Sequence, residues 1–215
     1  MSPRARLGVV TGLAAEARIA RRIAGAVVIS RGEAGRLDAG IGGLVSFGVA
    51  GGLDPALVPG TVVIARAVLT PEDERIETDA AWAGRLAAAL PGSLRRTAAA
   101  IAGAEAPLAE PAAKAALLRR TGAVAVDMES HRVAALARQR AIPFLAVRAI
   151  ADPAWRRLPA AALAGIDGRR LPVLAALLAR PHEAAGVIAL ARDYRAALGA
   201  LGRVALRGGP LLGLV

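Results

Sequence analysis

The chain contains no cysteine, and this absence excludes several kinds of chemistry at once. Without cysteine there is no disulfide, no thiolate nucleophile and no cysteine-ligated zinc or iron–sulfur centre. The two histidines, His131 and His182, are too few for a histidine-rich metal centre. We therefore expect no metal ion and no bound cofactor, with inorganic phosphate left open as a co-substrate.

Aromatic residues and long apolar runs are also scarce. Aromatics make up 2% of the chain, so platforms on which single-stranded nucleic acid stacks are largely missing. No apolar run of about 18 residues lacks charges and glycine breaks, which argues against a membrane span. The first ten residues lack the apolar stretch of a secretory signal. We expect a cytoplasmic protein, or one that contacts the inner membrane peripherally.

The net charge of +11 comes almost entirely from arginine. The arginines are scattered in pairs, and no nucleic-acid-binding motif accompanies them, so we expect no nucleic-acid partner. Abundant alanine, glycine and arginine are also typical of GC-rich genomes. An anionic small ligand or an anionic membrane surface is a better candidate than nucleic acid for the partner of this positive charge.

What is present is an alternation of apolar runs and helical patterns over 215 residues, 55% of them hydrophobic. We expect one domain spanning residues 1–215, an α/β fold with a mostly parallel or mixed twisted sheet flanked by helices. Helices are predicted over Ala14–Ile23 and Ser130–Arg140. The predicted strands are Leu7–Val10, Val27–Ile29, Leu44–Phe47, Thr61–Ala65, Val124–Val126 and Phe144–Ile150.

The C-terminal third is predicted to be helical. Apolar residues recur at helical spacing over Leu171–Ala179 and over Ala184–Gly202, with Pro181 between them. The tail Gly208–Val215 is apolar and broken by glycine. The arginine-bearing segment Ala184–Gly202 has two interpretations, ordinary packing on the sheet or an interfacial face at a membrane.

Polar residues cluster where predicted strands end, which is where open α/β sheets bind ligands. Taken singly, each has a plainer explanation: a solvated helix residue for Glu16, helix N-terminal charges for Asp127 and Glu129, and a turn before proline for Asp152. Glycines in the second segment let the backbone approach a ligand, although GVAGGL is neither a dinucleotide fingerprint nor a phosphate loop. The four segments are TGLAAE (11–16), FGVAGGL (47–53), VDMES (126–130) and VRAIAD (147–152).

Longer stretches in the same order resemble a known family. LGVVTGLAAEA, LVSFGVAGGLDPALVPGTVVIA, AVAVDMES and IPFLAVRAIAD, between Leu7 and Asp152, are similar to the purine nucleoside phosphorylase / methylthioadenosine nucleosidase superfamily. SFGVAGGLDPALVPG, TDAAW at 78–82, AVDMESH and the arginine-rich C-terminus resemble its bacterial hopanoid-associated phosphorylases. The resemblance implies a nucleoside phosphorylase-like fold, a homodimer, and cleavage of the N-glycosidic bond of a purine nucleoside.

The resemblance also implies roles for particular residues. Asp152 takes the position of the acid that protonates or hydrogen-bonds N7 of the purine. Glu129 takes the position that binds the ribose hydroxyls, and Met128 packs under the sugar. Glu16 matches the glutamate that orients and deprotonates the attacking water in the hydrolytic branch.

Further positions follow from the same comparison. Ala50 and Gly51, with Val49 before them, match the stretch that lines the base and sugar. Arg148 either steadies the carboxylates of the site or supports the fold. Base contacts near 103–108 are left unassigned, His131 is expected to be a helix residue near the site, and Trp155 to be either a lid over the base or a residue that packs a helix start.

Several departures from the family pattern matter for the nucleophile. TGLAAE replaces the glycine-aspartate-arginine loop of the phosphorolytic branch, and Val49 stands where a phosphate-binding serine is usual, so a nucleosidase is favoured. Ala151 replaces a serine that hydrogen-bonds the acid. The segment 30–43 is shortened, which leaves little room for a crossover helix and suggests a more open site, with Arg31 or Arg36 as a replacement anion contact.

Three functions remain in competition on the sequence. The first is release of adenine from adenosylhopane in hopanoid side-chain biosynthesis, by hydrolysis or phosphorolysis. The second is a nucleosidase for soluble methylthioadenosine-type substrates. The third is a catalytically degenerate nucleoside- or lipid-binding protein, suggested by Ala151 and by the short 30–43 segment.

Overall fold

The computed structural model describes residues 6–30, 32–33, 38, 40–163 and 179–212. Its strands are β1 (Arg6–Thr11), β2 (Ala26–Ser30), β3 (Ile41–Gly52), β4 (Val62–Leu69), β5 (Arg75–Glu77), β6 (Arg96–Gly103), β7 (Ala125–Asp127) and β8 (Phe144–Asp152). Its helices are α1 (Ala14–Ala20), α2 (Ala80–Ala89), α3 (Pro111–Thr121), α4 (Ser130–Gln139), α5 (Ala160–Leu163) and α6 (Ala184–Leu212), with a 3₁₀ turn over Pro181–Glu183.

The eight described strands form one mixed sheet in the order β2-β1-β3-β7-β6-β4-β5, and β8 pairs with both β3 and β4. β1 pairs in parallel with β2 and β3, and β8 runs parallel to β3. β4 is antiparallel to β8, and β7 is antiparallel to β3. Pairings from β3 through β8, β4, β6 and β7 back to β3 therefore close a ring of five strands. The predicted α/β class with a mixed sheet and helical C-terminus is confirmed.

Helices cover both faces of this sheet, because its central strands are apolar on both sides. On one face, α6 packs against β8, α1 and α2 and buries Ala197, Leu201 and Val204. On the other face, α4 buries Val133 and Ala137 against strands β3 and β8. The two cores hold β3 and β8 rigidly between them, and these two strands supply much of the site described below.

Two elements extend further along the chain than the sequence predicts. The third strand does not end at Phe47 but continues through its glycines to Gly52, so all of the FGVAGGL segment except Leu53 is strand. The last helix continues through Gly208 to Leu212. A Cβ on Gly208 would lie 2.4 Å from Leu86 Cδ1, so this glycine allows α6 to pack closely on α2.

Some predicted elements and contacts lie largely outside the residues that the structure describes. The predicted helix Leu171–Ala179 lies almost entirely outside the described residues, as do Arg31, Arg36 and much of the shortened 30–43 segment. Within the described ranges, no helix combines the length and apolarity needed to cross a bilayer.

Candidate active site

A cavity of about 910 Å³ opens where strands β1, β3, β7 and β8 deliver their polar residues. The ends of β1, β3 and β8 meet because these strands run in parallel. β7 arrives from the opposite direction, and its pairing of Val126 with Gly51 places Asp127 beside the C-terminal end of β3. The cavity is lined by Gly12–Glu16, Val49–Gly51, Ala104, Ala106–Leu108, Val126–Glu129, Ala151, Asp152, Leu158, Ala162, Val187, Leu190, Ala191 and Tyr194.

Arg148, in the middle of β8, is the central cation under this cavity and is fully buried. Its Nη2 lies 2.5 Å from Asp127 Oδ2 and 3.9 Å from Glu129 Oε2. Nη2 also donates to Ser46 Oγ at 2.5 Å, and Nε donates to Ser130 Oγ at 3.2 Å. Arg148 therefore contacts the carboxylates from inside the core, an arrangement that agrees with both interpretations left open by the sequence.

Gly48 makes room for two charged groups on one face of β3. A Cβ at this position would lie 2.4 Å from Arg148 Nη1 and 2.6 Å from Glu16 Oε1, closer than atoms can approach. The absence of a side chain thus brings the guanidinium and the Glu16 carboxylate to opposite sides of one small space. The positive charge of Arg148 opposes the rise in the pKa of Glu16 that burial causes.

Glu16, in the first turn of α1, folds back onto backbone donors. Its Oε2 accepts from the N–H groups of Gly12 at 3.0 Å and Leu13 at 2.9 Å, and its Oε1 accepts from the N–H of Val49 at 2.8 Å. The side chain is 2% exposed, and burial raises the pKa of its carboxyl. The backbone donors of the first loop and of β3 are therefore occupied by a carboxylate of the chain itself.

Glu129 and Met128 lie between β7 and α4 and line the same cavity. A Cβ on Gly12 would lie 2.9 Å from Glu129 Oε1, so the loop after β1 passes directly beside this carboxylate. Asp127 does not face open solvent; it accepts from Ser130 N–H and Ser130 Oγ and pairs with Arg148. Burial raises the pKa of Asp127, and Arg148 opposes the rise.

Asp152 ends β8 and is 8% exposed. Its Oδ2 accepts a hydrogen bond from Lys114 Nζ at 2.5 Å, whereas its Oδ1 is buried with no partner among the described residues. Burial raises the pKa of the Asp152 carboxyl, and the nearby Lys114 ammonium partly opposes that rise. A buried carboxyl with one free oxygen is suited to hydrogen-bond a ligand in the cavity.

Two residues of the site escaped the sequence analysis. Lys114 has no exposed surface and sits on α3, a helix whose alanine-rich sequence carries a weak apolar pattern. Lys114 is the chain's only lysine, and this was the one feature of the sequence that could have drawn attention to it. Tyr194, on α6, lines the cavity near Glu16, and burial with the Glu16 charge raises its pKa to about 12.

The remaining candidate residues divide into those that line the cavity and those that do not. Val49, Ala50 and Gly51 line the cavity, and so do Ala104 and Ala106–Leu108 from the unassigned 103–108 stretch. His131 is buried in α4 with its Nε2 3.1 Å from Glu105 Oε1, and it does not line the cavity. Trp155 is 53% exposed and is also outside the cavity lining.

Several solved structures share this fold at low sequence identity. The 5′-methylthioadenosine/S-adenosylhomocysteine nucleosidase of Neisseria meningitidis, in complex with methylthio-immucillin-A, has a TM-score of 0.70 at 16% identity, covering 94% of this chain and 97% of that chain. The corresponding nucleosidase of Helicobacter pylori has a TM-score of 0.67 at 15% identity, covering 94% and 98%. The futalosine hydrolase of Helicobacter pylori has a TM-score of 0.66 at 15% identity, covering 93% and 96%.

Family comparison agrees with the motifs. A comparison with curated proteins gives no match. Residues 9–162, which run from within β1 to beyond β8 and include Glu16, Glu129 and Asp152, match the family described as the phosphorylase superfamily. The match confirms the superfamily that the motif stretches predict, and the chain belongs to the phosphorylase superfamily.

Proposed function

We propose that the protein releases adenine from a nucleoside whose sugar carries a large apolar substituent, with adenosylhopane as the substrate. The observation that carries this proposal is the composition of the cavity. Carboxylates converge on one part of it, whereas the part supplied by α5, α6 and the preceding loop is apolar apart from Tyr194. Its volume of about 910 Å³ is near the upper end of the range for small-molecule sites.

The polar part of the cavity supports N-glycosidic cleavage. Bond breaking leaves positive charge on the ribose and negative charge on the departing base, so the site must stabilise both. Asp152 donates a proton to N7 of the base through Oδ1, and Glu129 accepts hydrogen bonds from the ribose hydroxyls. Arg148 pairs with the buried Asp127 and lies close to Glu129. It therefore fixes these two carboxylates, called here the carboxylate wall, before substrate binds.

Water is the proposed nucleophile. Phosphate would need donors in the loop after β1 and in β3, but the N–H groups of Gly12, Leu13 and Val49 already donate to the Glu16 carboxylate. A second anion there would meet like charge, which is unfavourable in a buried site. Glu16, with a pKa raised by burial, is placed to accept a proton from water.

Chromatographic measurement of adenine release tests the function. Adenosylhopane in detergent and methylthioadenosine would each be supplied with and without phosphate. Release from adenosylhopane that is independent of phosphate is the expected result. Preference for methylthioadenosine would instead assign a soluble substrate, strict dependence on phosphate would assign phosphorolysis, and no release from either substrate would favour a binding protein.

Replacing Leu190 with asparagine tests the apolar part of the cavity supplied by α5, α6 and the preceding loop, called here the apolar wall. The amide would have to be buried against the apolar substituent without a hydrogen-bond partner, a cost of about 1–3 kcal/mol, or roughly 10- to 100-fold in kcat/KM for adenosylhopane. Methylthioadenosine, if it is turned over, should lose less. Leu206→Asn is the matched control, since Leu206 is 62% exposed on the same helix and outside the cavity lining. Equal losses of kcat/KM for adenosylhopane in the two variants would contradict the proposal that the apolar wall binds the apolar substituent.

We also propose that the exposed face of α6 meets an anionic membrane surface. The inner face of this helix packs on the sheet, whereas Ile188, Arg192, Arg195 and Arg203 point to solvent. Arginine on an amphipathic helix favours anionic lipid. Co-sedimentation with anionic vesicles, weakened by Arg192→Glu and by salt, is expected, and equal binding to neutral vesicles would contradict it.

A further inference from the structure

Lys114 is the only lysine in a chain with 28 lysine and arginine residues, and it is buried directly behind Asp152. It projects from α3, which runs from Pro111 to Thr121 and is capped by Gly122, a glycine with φ of 68°. Three of its neighbours are oxygen acceptors: Asp152 Oδ2 at 2.5 Å, the Pro153 carbonyl at 3.1 Å and the Arg156 carbonyl at 3.0 Å.

These contacts identify the charge on Lys114. An ammonium group has three N–H donors and no acceptor, and here each donor has one acceptor oxygen. A neutral amine would turn its lone pair towards one of those oxygens, which is unfavourable in a buried position. Lys114 is therefore a buried cation, and its partner carboxyl is Asp152.

The same contacts divide the two oxygens of Asp152. Oδ2 accepts the hydrogen bond from Lys114 Nζ, so this oxygen is already engaged by protein. Oδ1 is buried and has no partner within the described ranges, while Asp152 lines the cavity. Oδ1 is therefore the oxygen of Asp152 that is left to hydrogen-bond a base in the cavity.

We propose that Lys114 is a positioning residue that presents Asp152 to the purine through Oδ1 and stabilises the carboxylate formed when Asp152 gives up its proton. This inference rests on the proposed N-glycosidic cleavage. The proton moves from Oδ1 to N7 of the base while the electron pair of the glycosidic bond passes to the base. The carboxyl becomes a carboxylate, and its hydrogen bond from the Lys114 ammonium strengthens as that charge develops.

Other charged groups near Asp152 are largely paired with each other. Arg156, in the loop after β8, lowers the pKa of Asp152, and Asp193 on α6 raises it, but these two side chains form an ion pair. Lys114 on α3 is the cation in direct contact. Removing its charge should therefore move the Asp152 pKa upward, because burial raises that pKa and Lys114 opposes the rise.

The pH dependence of kcat/KM for wild type and Lys114→Met tests the proposal. The protonated acid is the active form, so activity falls as pH rises through the Asp152 pKa. In Lys114→Met this alkaline limb should move upward by about one to three pH units. The maximal kcat should fall at least about tenfold, since a weaker acid donates less readily and its carboxylate is no longer stabilised. An unmoved limb would overturn the proposal.

A second variant separates charge from architecture, because Lys114 also ties down two loop carbonyls. Lys114→Gln keeps N–H donors for the carbonyls of Pro153 and Arg156 but has no charge. It should show the same shifted limb as Lys114→Met. If glutamine restores both the limb and kcat to wild-type values, Lys114 is merely structural and the proposal is wrong.

The background of Asp152→Asn supplies another decisive comparison. With the acid already removed, adding Lys114→Met should cause little further loss of kcat, because the two residues act as one unit. An additional loss as large as that seen in the wild-type background would contradict the inference.

A measurement without substrate separates this inference from the proposed function. In protein labelled with ¹³C,¹⁵N-lysine, Lys114 gives the single lysine side-chain signal in the spectrum. Its Cε shift should follow a titration step that is missing in Asp152→Asn. If that step is present but wild type releases no adenine, the proposed function fails and the role of Lys114 in it falls too. If wild type releases adenine and the step is absent, the Lys114 inference alone is overturned.

Discussion

Asp152→Asn is expected to lower kcat for adenine release by about 10²–10⁴-fold, the usual contribution of a general acid. The asparagine amide keeps the shape of the carboxyl and can still offer an N–H to N7 of the base. It cannot transfer a proton, so the departing base must leave with its full negative charge. KM should change much less than kcat, since the loss lies in the transition state and not in substrate binding.

The measurement is a pair of kcat and KM values from chromatographic assays of wild type and variant. Asp73→Asn is the matched control, because Asp73 is exposed and pairs with Arg120 away from the cavity. Thermal unfolding should accompany the assay, since Asp152→Asn also leaves the buried Lys114 ammonium without its carboxylate. A folded Asp152→Asn protein with near wild-type kcat would show that the base leaves without help from this acid.

Arg148→Met is expected to have the largest effect on stability, a loss of about 3–5 kcal/mol in the free energy of unfolding. The methionine side chain occupies part of the guanidinium space but leaves Asp127 fully buried without its cation. Glu129 and Glu16 lose the same positive charge. The hydroxyls of Ser46 and Ser130 also lose a donor.

The deficit of Arg148→Met should depend on pH. Burial holds the folded-state pKa of Asp127 above its unfolded value, and loss of Arg148 raises it further. A group with a raised folded-state pKa destabilises the fold as pH rises through that pKa, so the deficit should be larger at pH 7 than at pH 5. Urea unfolding at the two values checks this.

Arg138→Met is the matched control for that experiment. Arg138 pairs with Glu74 on the surface, where both side chains are about half exposed, and its removal should cost little. If Arg148→Met were no more destabilising than Arg138→Met, Arg148 would not be the cation that holds the carboxylate wall together.

Much of the sheet was predictable because its strands are short apolar runs. The strands near Leu7–Val10, Thr61–Ala65 and Phe144–Ile150 were found from that signal. β6 was missed, because RTAAAIAG is dominated by alanine, whose small side chain suits helix and strand alike. The end of α6 was missed since close packing of Gly208 on Leu86 outweighs the usual helix-breaking effect of glycine.

The site was predictable to the extent that its residues follow strand ends. Glu16, Glu129 and Asp152 were found in this way, Met128 was found from the family resemblance, and all four line one cavity. Their catalytic roles remain proposals. Lys114 could not be placed, because its contact with Asp152 joins residues 38 positions apart through the docking of α3, which no local pattern encodes.

The pairing of β3 with β8 has a consequence for how the chain acquires its fold. Partners such as Leu44 and Phe144 are one hundred positions apart, so this central contact closes a very long loop. Until β8 is available, β3 exposes an apolar edge, and Glu16 lacks the cation across Gly48. High contact order of this kind slows folding and prolongs exposure to aggregation. On the ribosome, the site can form only after Asp152 has emerged. Truncated chains ending before β8 should therefore be inactive and prone to aggregation.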